Sequence, residues 1–522
     1  MSRTAEPDSP AEVTVGVGPL SVGEVVAVAR HGASVRLDDA ALEAVAATRR
    51  VVEDLAHDTE PHYGISTGFG ALATTSIPPA KRAQLQRSLV RSHAAGSGPE
   101  VEREVVRATM LLRLSTLATG RTGVRVGTAE AYAALLDAGI TPVVREYGSL
   151  GCSGDLAPLA HVALAVMGEG MVRDAAGDLM PAAQALARHA FAPVELAEKE
   201  GLALINGTDG MLGMLVLAVH DLRTLLTTAD VAAAMSVEGQ LGTDDVFAAD
   251  LQALRPHPGQ ARSAENLRAL MAGSAIRESH RTDACTRVQD AYSLRCSPQV
   301  HGSARDTCDH AAVVAGRELA AAIDNPVVTP DGRVESNGNF HGAPVAHVLD
   351  FLAVVTADVA SISERRTDRF LDVARNHGLP PFLADDPGTD SGLMIAQYTQ
   401  AAVVSELKRL AAPASVDSIP SSAMQEDQVS MGWNAARKLR RSVDGLARVL
   451  AIEVLTAARA LDLRAPLTPA PATAAVVALL RGEGIAGPGP DRYLSPEIEA
   501  TVDLVLDGRV RAAAERHTGL LH

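Results

Sequence analysis

The residues with the clearest capacity for chemistry lie in a glycine-rich segment, residues 148–161, which reads GSLGCSGDLAPLAH. Taken alone, this pattern predicts a tight turn that leads into a helix, with Asp155 near the N-cap. That interpretation accounts for the glycines and for the aspartate. It does not account for the uninterrupted Cys152-Ser153-Gly154 inside the turn.

Other motif matches in the sequence lack the context that their chemistry needs. Residues 68–73 (GFGALA) match the dinucleotide-binding pattern, but no hydrophobic strand precedes them and no convincing βαβ unit follows. Residues 405–408 (SELK) match SxxK without its partner motifs, and residues 151–154 are one residue short of the GxSxG nucleophile elbow. There is no HExxH, and the 16 histidines do not pair at metal-ligand spacing. The sequence therefore predicts no nucleotide site, no hydrolase nucleophile and no metal site.

Residues 148–159 resemble the signature of the histidine and aromatic amino acid ammonia-lyase family, Gly-Ser-x-Gly-x-Ser-Gly-Asp-Leu-x-Pro-Leu. The resemblance implies that Cys152, Ser153 and Gly154 cyclise into 4-methylidene-imidazol-5-one, an electrophilic prosthetic group made from the chain itself. Gly154 has no Cβ, so its backbone nitrogen can approach the Cys152 carbonyl closely. Ser153 would lose its hydroxyl as water, and Cys152 would be a ring precursor rather than a nucleophile. No dissociable cofactor is then required.

The resemblance extends from about residue 15 to residue 463 through several motifs. It implies that Tyr63, in the motif YGISTGFG, is the general base that removes the β-proton of the substrate. Asn206 and Tyr292 would assist around the prosthetic group, and Arg295 would bind the substrate carboxylate. The other substrate-binding candidates come from separate motifs: His93, Gln289, Phe340, Met394 and Glu426.

Each of these residues also has a purely structural interpretation. Tyr63 alone would be a turn tyrosine, and Arg295 alone would be a surface cation, since charged side chains are mostly exposed. His93 could be a packed histidine. Glu426 could orient another group instead of contacting the substrate.

The resemblance is closest to the histidine ammonia-lyase branch, which converts L-histidine into trans-urocanate. Ser92-His93 supports this branch, because relatives that act on phenylalanine carry apolar residues there. Residues 424–428 (MQEDQ) depart from the Asn-Gln-Glu-Asp-His usual in that branch, and Gln428 cannot carry the positive charge of a histidine. Ser66, Asp209 and Cys152 are smaller departures.

Two alternatives to a histidine-specific enzyme follow from the same residues. The first is a tyrosine or other aromatic amino acid ammonia-lyase, or a 2,3-aminomutase, in which His93 would bind a phenol hydroxyl. The second is a catalytically inactive relative that serves only as a helical scaffold. The intact Tyr63, Ser153 and Arg295 argue against the scaffold.

Long helices must position these residues. The apolar positions Leu439, Val443, Leu446, Leu450, Val454, Ala457 and Leu461 are spaced by threes and fours, and Leu352, Val355, Val359 and Ile362 form a second stripe. This spacing is typical of long amphipathic helices. The sequence thus predicts a mainly α protein with little sheet, its apolar stripes buried in a bundle or between subunits. The family resemblance implies a fumarase/aspartase-like long-helix bundle, assembled as a homotetramer with active sites shared between subunits.

We predict three segments along the chain. Residues 1–205 form an N-terminal domain with Tyr63, His93 and the Cys152-Ser153-Gly154 loop. Residues 206–464 form a central helical bundle with the carboxylate-binding loop. Residues 465–522 are short C-terminal helices that follow a proline-rich linker.

Composition limits the cellular setting. The 522 residues are 47% hydrophobic and only 3% aromatic, with a net charge of −16 and no long basic run, which disfavours nucleic-acid binding. Four cysteines without a CxxC pair predict neither a disulfide framework nor a thiolate zinc site. The first residues lack the pattern of a signal peptide, and uninterrupted apolar runs such as 211–219 are too short to span a membrane. We therefore expect a cytoplasmic protein, and the family resemblance implies that it acts on a small amino acid substrate.

Overall fold

Helices dominate the structure, a computed structural model that describes residues 10–58, 60–282, 285 and 288–522. Helix accounts for 59% of the residues and strand for 7%. The predicted mainly α fold with long helices and little sheet is therefore confirmed.

The α-helices of the described residues are, in chain order, α1 (Val22–Arg30), α2 (Asp39–Ala56), α3 (Pro79–His93), α4 (Arg103–Ala118), α5 (Val126–Asp137), α6 (Leu156–Val166), α7 (Ala182–Arg188), α8 (Glu200–Ile205), α9 (Asp209–Gly239), α10 (Ala249–Ala253), α11 (Pro258–Leu270), α12 (Ala275–Glu278), α13 (Tyr292–Arg295), α14 (Ser297–Leu319), α15 (Ala343–Leu371), α16 (Met394–Leu410), α17 (Gly432–Leu463), α18 (Pro471–Gly482), α19 (Ser495–Leu506) and α20 (Arg509–Thr518).

The strands are short and make small separate sheets: β1 (Glu12–Val15), β2 (Ser34–Leu37), β3 (Ser97–Glu100), β4 (Thr141–Pro142), β5 (Arg145–Tyr147), β6 (Met171–Arg173), β7 (Leu179–Pro181), β8 (Val327–Val328) and β9 (Val334–Glu335). β1 pairs in parallel with β2. The pairs β3–β5, β4–β6, β6–β7 and β8–β9 are antiparallel.

The predicted apolar stripes lie on two of the longest helices. The stripe 439–461 lies on α17, and each of its members is at most 2% exposed. The stripe 352–362 lies on α15, where Leu352 and Val359 are buried but Val355 and Ile362 are only half-buried. The spacing therefore predicted the helices correctly, and the second stripe keeps part of its apolar surface accessible.

The described residues group into two compact units. The first unit comprises the residues up to Leu217 together with Ala312–Leu349 and Pro413–Arg437. The second unit comprises Ala218–Ala311, Asp350–Ala412 and Lys438–His522. These units describe which residues pack together, not which segments fold alone, so the division of the chain at residues 205 and 464 stays a prediction.

The first unit surrounds the glycine-rich turn with helices. α1 packs on α4, and α3, α6 and α8 pack on one another. A capping box begins α1, where the Ser21 hydroxyl accepts from the backbone of Glu24 and the Glu24 carboxylate accepts from the backbone of Ser21. α4 is buried along most of its length, and it includes Arg113, which has no exposed side-chain surface. A charged side chain at such a position needs internal partners.

The second unit joins its long helices through buried polar clusters. The Glu453 carboxylate on α17 accepts from Ser236 Oγ on α9 at 2.7 Å and from Ser363 Oγ on α15 at 2.6 Å, and it pairs with Arg366 Nε at 2.5 Å. Asp230 on α9 lies 2.8 Å from His301 Nδ1 on α14. Because a buried charge is costly without partners, such clusters restrict how these helices align with one another.

Two of the described helices, α9 and α15, pass a test of length and composition for membrane spans. The most apolar windows of these helices are 83% and 67% buried within the protein, as expected of core helices. α9 is far longer than the uninterrupted apolar run 211–219, because charged residues such as Asp221 and Arg223 interrupt the run but not the helix.

Candidate active site

The glycine-rich turn adopts a backbone that requires glycine at position 154. Gly154 has a φ of +73°, and a Cβ placed there would lie 2.0 Å from the Gly207 carbonyl oxygen. The next amide, Asp155 N, donates to that same oxygen at 2.7 Å. The turn is therefore pressed against the backbone of residues 206–208, an approach that only glycine permits.

Asp155 occupies the N-cap position of α6, but its side chain does not cap that helix. Instead, the fully buried carboxylate accepts from Ser149 Oγ and from Met211 N, both at 2.8 Å. Met211 lies in the first turn of α9, where free backbone N–H groups favour an anion. Burial raises the pKa of Asp155 to about 7, although these hydrogen bonds offset part of the increase. The aspartate thus links the turn to the start of α9.

Asn206 lies directly against Ser153. The Ser153 hydroxyl donates to Asn206 Oδ1 at 2.5 Å. Asn206 ends α8 and is completely buried. Its Nδ2 donates to the Asn325 carbonyl oxygen at 3.0 Å and approaches Asp324 Oδ1 at 3.4 Å. The structure therefore brings together two of the residues that the sequence singled out.

Tyr63 is half-buried beside the same site. Its hydroxyl oxygen accepts from Gly70 N at 3.3 Å, and its ring meets Phe69 edge to face at 6.5 Å between centroids. Burial raises the pKa of Tyr63 above 10, and the charges of Glu426 and Asp324 raise it further, while the Gly70 N–H lowers it. A tyrosine in this setting keeps its proton unless a cation comes close.

His93 is the last residue of α3. Its Nδ1 lies 2.9 Å from the Leu89 carbonyl oxygen, which can only accept, so Nδ1 carries the proton and Nε2 remains an acceptor. Burial lowers the pKa of His93 below 6.5, against the Leu89 carbonyl and Glu426, which raise it. The imidazole is therefore neutral at neutral pH.

Glu426 connects the candidates electrostatically. Its carboxylate accepts from Ser421 Oγ at 2.9 Å. Burial, with a smaller contribution from the Glu426 charge, raises the pKa of the Cys152 thiol to about 12. The same carboxylate shifts the pKa values of Tyr63 and His93. Glu426 therefore lies within electrostatic reach of three other candidates in the first unit.

Phe340 also belongs to the first unit and is half-buried. Two residues later, a Cβ on Gly342 would lie 2.5 Å from Met211 Sδ and 2.9 Å from Ser430 Oγ. Ser430 Oγ donates to the Gly151 carbonyl oxygen in the glycine-rich turn at 3.2 Å. The segment that carries Phe340 thus packs on residues that contact the turn.

Gln289, Tyr292 and Arg295 form a second group, which lies in the second unit. Arg295 Nη2 donates to Gln289 Oε1 at 2.8 Å, and its guanidinium carbon lies 4.8 Å from the centre of the Tyr292 ring. Tyr292 is 71% exposed. Arg295 Nε is buried without a hydrogen bond to any described residue. This group presents a cation whose hydrogen-bonding capacity is only partly used.

Met394 begins α16, also in the second unit. It lines a cavity of about 350 Å³ with Phe382, Gln397 and Tyr398. None of the other candidates is among the described residues that line this cavity.

Sequence reasoning missed the buried charges behind Asn206. Arg113 donates through Nη1 to the Asn206 carbonyl oxygen at 2.6 Å and through Nη2 to the Ile323 carbonyl oxygen at 2.9 Å. Lys199 Nζ lies 2.5 Å from Asp324 Oδ2, and neither side chain is exposed. A single arginine inside the apolar run of α4 was the available signal, because such a residue needs buried partners.

Among the residues that the structure describes, no group of three or more His, Cys, Asp or Glu side chains is placed to bind a metal ion.

Known proteins resemble this chain both in sequence and in fold. A sequence profile of the aromatic amino acid lyases matches residues 20–482. A histidine ammonia-lyase from Streptomyces griseus is 66% identical over 511 residues, which cover 98% of this chain and 99% of that protein. The solved tyrosine aminomutase from Streptomyces globisporus superposes with a TM-score of 0.92 at 37% identity, covering 98% and 100% of the two chains. The solved histidine ammonia-lyase from Trypanosoma cruzi superposes with a TM-score of 0.89 at 37% identity, covering 97% and 95%.

Proposed function

Because the chain belongs to the aromatic amino acid lyase family, we propose that it is a carbon–nitrogen lyase that eliminates ammonia from L-histidine to give trans-urocanate. The observation that carries the choice of substrate is the position of His93 and Glu426. The Glu426 charge acts on the His93 imidazole and also on the Cys152 thiol of the glycine-rich turn.

His93 and Glu426 favour a substrate side chain that donates a hydrogen bond. Nε2 of His93 is an acceptor, because Nδ1 donates to Leu89, and an ionised Glu426 can only accept. An imidazole carries a proton on nitrogen that such groups can accept, whereas a phenyl ring leaves them unpaired. A buried polar site rejects an analogue that lacks the matching group by large factors.

A phenol hydroxyl also donates a proton, so tyrosine is the second candidate substrate. The specific observation in its favour is the acceptor at His93 Nε2, together with the likeness to a solved tyrosine aminomutase. An aminomutase would return the ammonia to the β-carbon of the product.

The turn fits the prosthetic group that the family resemblance implies. Gly154 has a left-handed backbone and no room for a Cβ beside Gly207, as a glycine that closes the ring would need, and Asn206 Oδ1 accepts from the Ser153 hydroxyl. Ring closure would release the Cys152 carbonyl oxygen as water, with the protons of the Gly154 and Ser153 amides. A second water would take the Ser153 hydroxyl and its Cα proton. The group then supplies an electrophilic methylene carbon, and no dissociable cofactor is required.

We assign the remaining steps to side chains of this chain. Tyr63 would take the β-proton of the substrate as general base, a role worth typically ~10²–10⁴-fold in rate. Arg295 would bind the substrate carboxylate through its planar fork of donors. A cation near Tyr63 would offset the burial that raises its pKa.

We further propose that the enzyme works in the cytoplasm as a homotetramer with shared active sites. Exposed apolar side chains on the second-unit parts of α15 and α16 support an assembly, since Phe351, Ile395 and Tyr398 are each more than half exposed. Analytical ultracentrifugation of the purified protein tests this point, and a stable monomer with full activity would overturn it.

The substrate is tested by a side-by-side assay of L-histidine, L-tyrosine and L-phenylalanine. Formation of urocanate, coumarate, cinnamate and β-amino acids is followed separately. We expect rapid release of urocanate and almost no reaction with phenylalanine. Faster turnover of tyrosine, or β-tyrosine among the products, would replace the histidine assignment with the second candidate. No turnover of any amino acid would instead support an inactive relative.

A further inference from the structure

Asp324 contacts Lys199 and Asn206 through different oxygens of one carboxylate. Its Oδ2 lies 2.5 Å from Lys199 Nζ, and its Oδ1 lies 3.4 Å from Asn206 Nδ2. Oδ1 also accepts from the backbone of Asn325 at 2.8 Å. Lys199 and Asp324 have no exposed side-chain surface. The carboxylate therefore has fixed partners on both sides and no access to water.

The two side chains that meet Asp324 come from opposite ends of α8. Lys199 is the N-cap residue of this short helix and has a φ of +69°, and Asn206 is its C-cap residue. A left-handed backbone is uncommon for a residue with a side chain as long as lysine. Asp324 thus holds α8 at both ends.

The partners of Asn206 determine which way its amide faces. The Asp324 carboxylate and the Asn325 carbonyl can only accept, so the Asn206 amide nitrogen must point toward them. The amide oxygen then points toward Ser153, whose hydroxyl donates to it at 2.5 Å. A rotated amide would place two acceptors against each other on one side and leave Ser153 facing a donor.

Lys199 fixes the rotation of the Asp324 carboxylate. Its ammonium group lies 2.5 Å from Oδ2, so Oδ1 is the oxygen that faces the Asn206 amide. Without Lys199, Oδ2 would lose its partner and the carboxylate could turn away from Asn206. Arg113 holds the Asn206 backbone carbonyl rather than the side chain, so it does not set this orientation.

We infer that the Lys199–Asp324 pair is a positioning device that directs the amide oxygen of Asn206 at Ser153 and so promotes conversion of the Cys152-Ser153-Gly154 turn. This inference rests on the proposed function, because the conversion is the one described there. Lys199 and Asp324 do not touch the substrate in this scheme and act only through Asn206.

The test measures loss of two waters by intact-protein mass at fixed times after synthesis. It compares Asp324→Asn, Lys199→Met and the double variant. In Asp324→Asn, Lys199 attracts the oxygen of the new side-chain amide. The NH2 group of that amide then faces the NH2 group of Asn206, so the Asn206 amide has to rotate. We expect each single change to slow conversion at least about tenfold, a change equivalent to ~1.4 kcal/mol. In the double variant the new amide can turn its oxygen back toward Asn206, so conversion should recover beyond either single variant.

The matched control is Asp230→Asn in the second unit. Asp230 is buried and paired with Arg305 at 2.6 Å, so this variant removes a comparable buried charge. It should reduce thermal stability and leave conversion at the wild-type rate. If Asp324→Asn is insoluble, Asp324→Glu is compared with Asp230→Glu, and slower conversion in the first alone supports the inference.

The outcomes separate the inference from the function on which it rests. If wild-type protein never loses the two waters, the proposed prosthetic group is wrong. If wild type converts and the Asp324 and Lys199 variants convert equally fast, only the positioning role is wrong. A double variant that is slower than both single variants would also overturn it, since a merely structural pair predicts that result.

Discussion

In the first unit the buried pair Lys199–Asp324 holds the end of a short helix beside the glycine-rich turn, whereas in the second unit the buried pair Arg366–Glu453 joins long helices. Each of the four side chains has no exposed surface. Burying such charges is costly in both places. What differs is the neighbour: an amide that can face two ways in the first unit, and helices that can slide past one another in the second. Similar burial can therefore serve chemistry in one place and alignment in the other.

The largest expected effect comes from Ser153→Ala. The variant lacks the hydroxyl that must leave as water, so no electrophile forms and turnover should fall below detection. The fold should persist, because Ser153 is a loop residue whose hydroxyl makes one hydrogen bond within the described part of the chain, to Asn206. Intact mass and circular dichroism check the two halves of this expectation. A variant with measurable wild-type-like turnover would show that the reaction does not depend on this turn.

The next largest effect is expected for Tyr63→Phe. Loss of the general base should reduce kcat by about 10²–10⁴-fold with little change in KM, because the hydroxyl acts on the β-proton in the transition state. Steady-state kinetics with L-histidine provide the measurement. Loss of two waters should be unaffected, which separates Tyr63 from the residues that serve conversion. Near-normal kcat would assign the base to another side chain.

Arg295 tests whether the second unit also contributes to chemistry. Arg295→Ala should reduce kcat/KM by a factor equivalent to ~2–5 kcal/mol, the usual effect of removing one partner of a buried charge pair. Arg295→Lys should also be impaired, because lysine keeps the charge but lacks the planar fork. A loss below about tenfold for Arg295→Ala, or ~1.4 kcal/mol, would place the carboxylate-binding residue elsewhere.

Glu453→Gln tests whether the buried pair of the second unit contributes to stability. Removing one partner of a buried pair typically costs ~3–5 kcal/mol, because the remaining charge is left uncompensated. We expect a clear decrease in the thermal unfolding temperature and normal loss of two waters. Unchanged stability would mean that this cluster does not hold the helices together. Failure to lose the two waters would mean that the second-unit pair affects conversion as well as the first-unit pair.

The smallest expected effect is the pH dependence of the contribution that His93 makes to kcat/KM. Burial lowers the pKa of His93 below 6.5, so it becomes charged only at a pH below that value. The ratio of wild-type to His93→Phe kcat/KM should be constant above pH 6.5 and decrease at lower pH, where the imidazole becomes charged. Taking the ratio removes the ionisation of the substrate itself. A ratio that does not change between pH 5 and 8 would argue that His93 only packs.

The fold was predictable to the extent that it depends on periodic apolar residues. The stripe on α17 predicted a buried helix correctly, because an apolar side chain recurs on the same face at each turn of the helix. The length of α9 was not predicted, because an uninterrupted apolar run is a poor measure of a helix that also contains charged residues. Periodicity describes one face of one helix and does not show which partner covers it.

The candidate site was predictable where its residues lie in contiguous motifs. The Cys152-Ser153-Gly154 turn was found through its resemblance to a family signature, because its residues are adjacent in sequence. Lys199 and Asp324 were missed because they lie 125 residues apart and neither stands in a recognisable motif. The position of Asp155 was predicted correctly, but not the helix that its side chain serves, which depends on where α9 begins in space.

The contact between Gly154 and Gly207 also sets an order of events during synthesis. Ser153 and Asn206 are 53 residues apart, and Asp324 follows more than a hundred residues later. A nascent chain that has emerged only as far as the turn therefore has neither the surface against which the turn is pressed nor the amide that receives the serine proton. Under the conversion proposed above, the turn would stay an unreacted peptide until those later segments arrive. A ribosome that stalls early would then release a fragment without an electrophile, so that unfinished chains would not expose a reactive carbon to the thiols and amines of the cell.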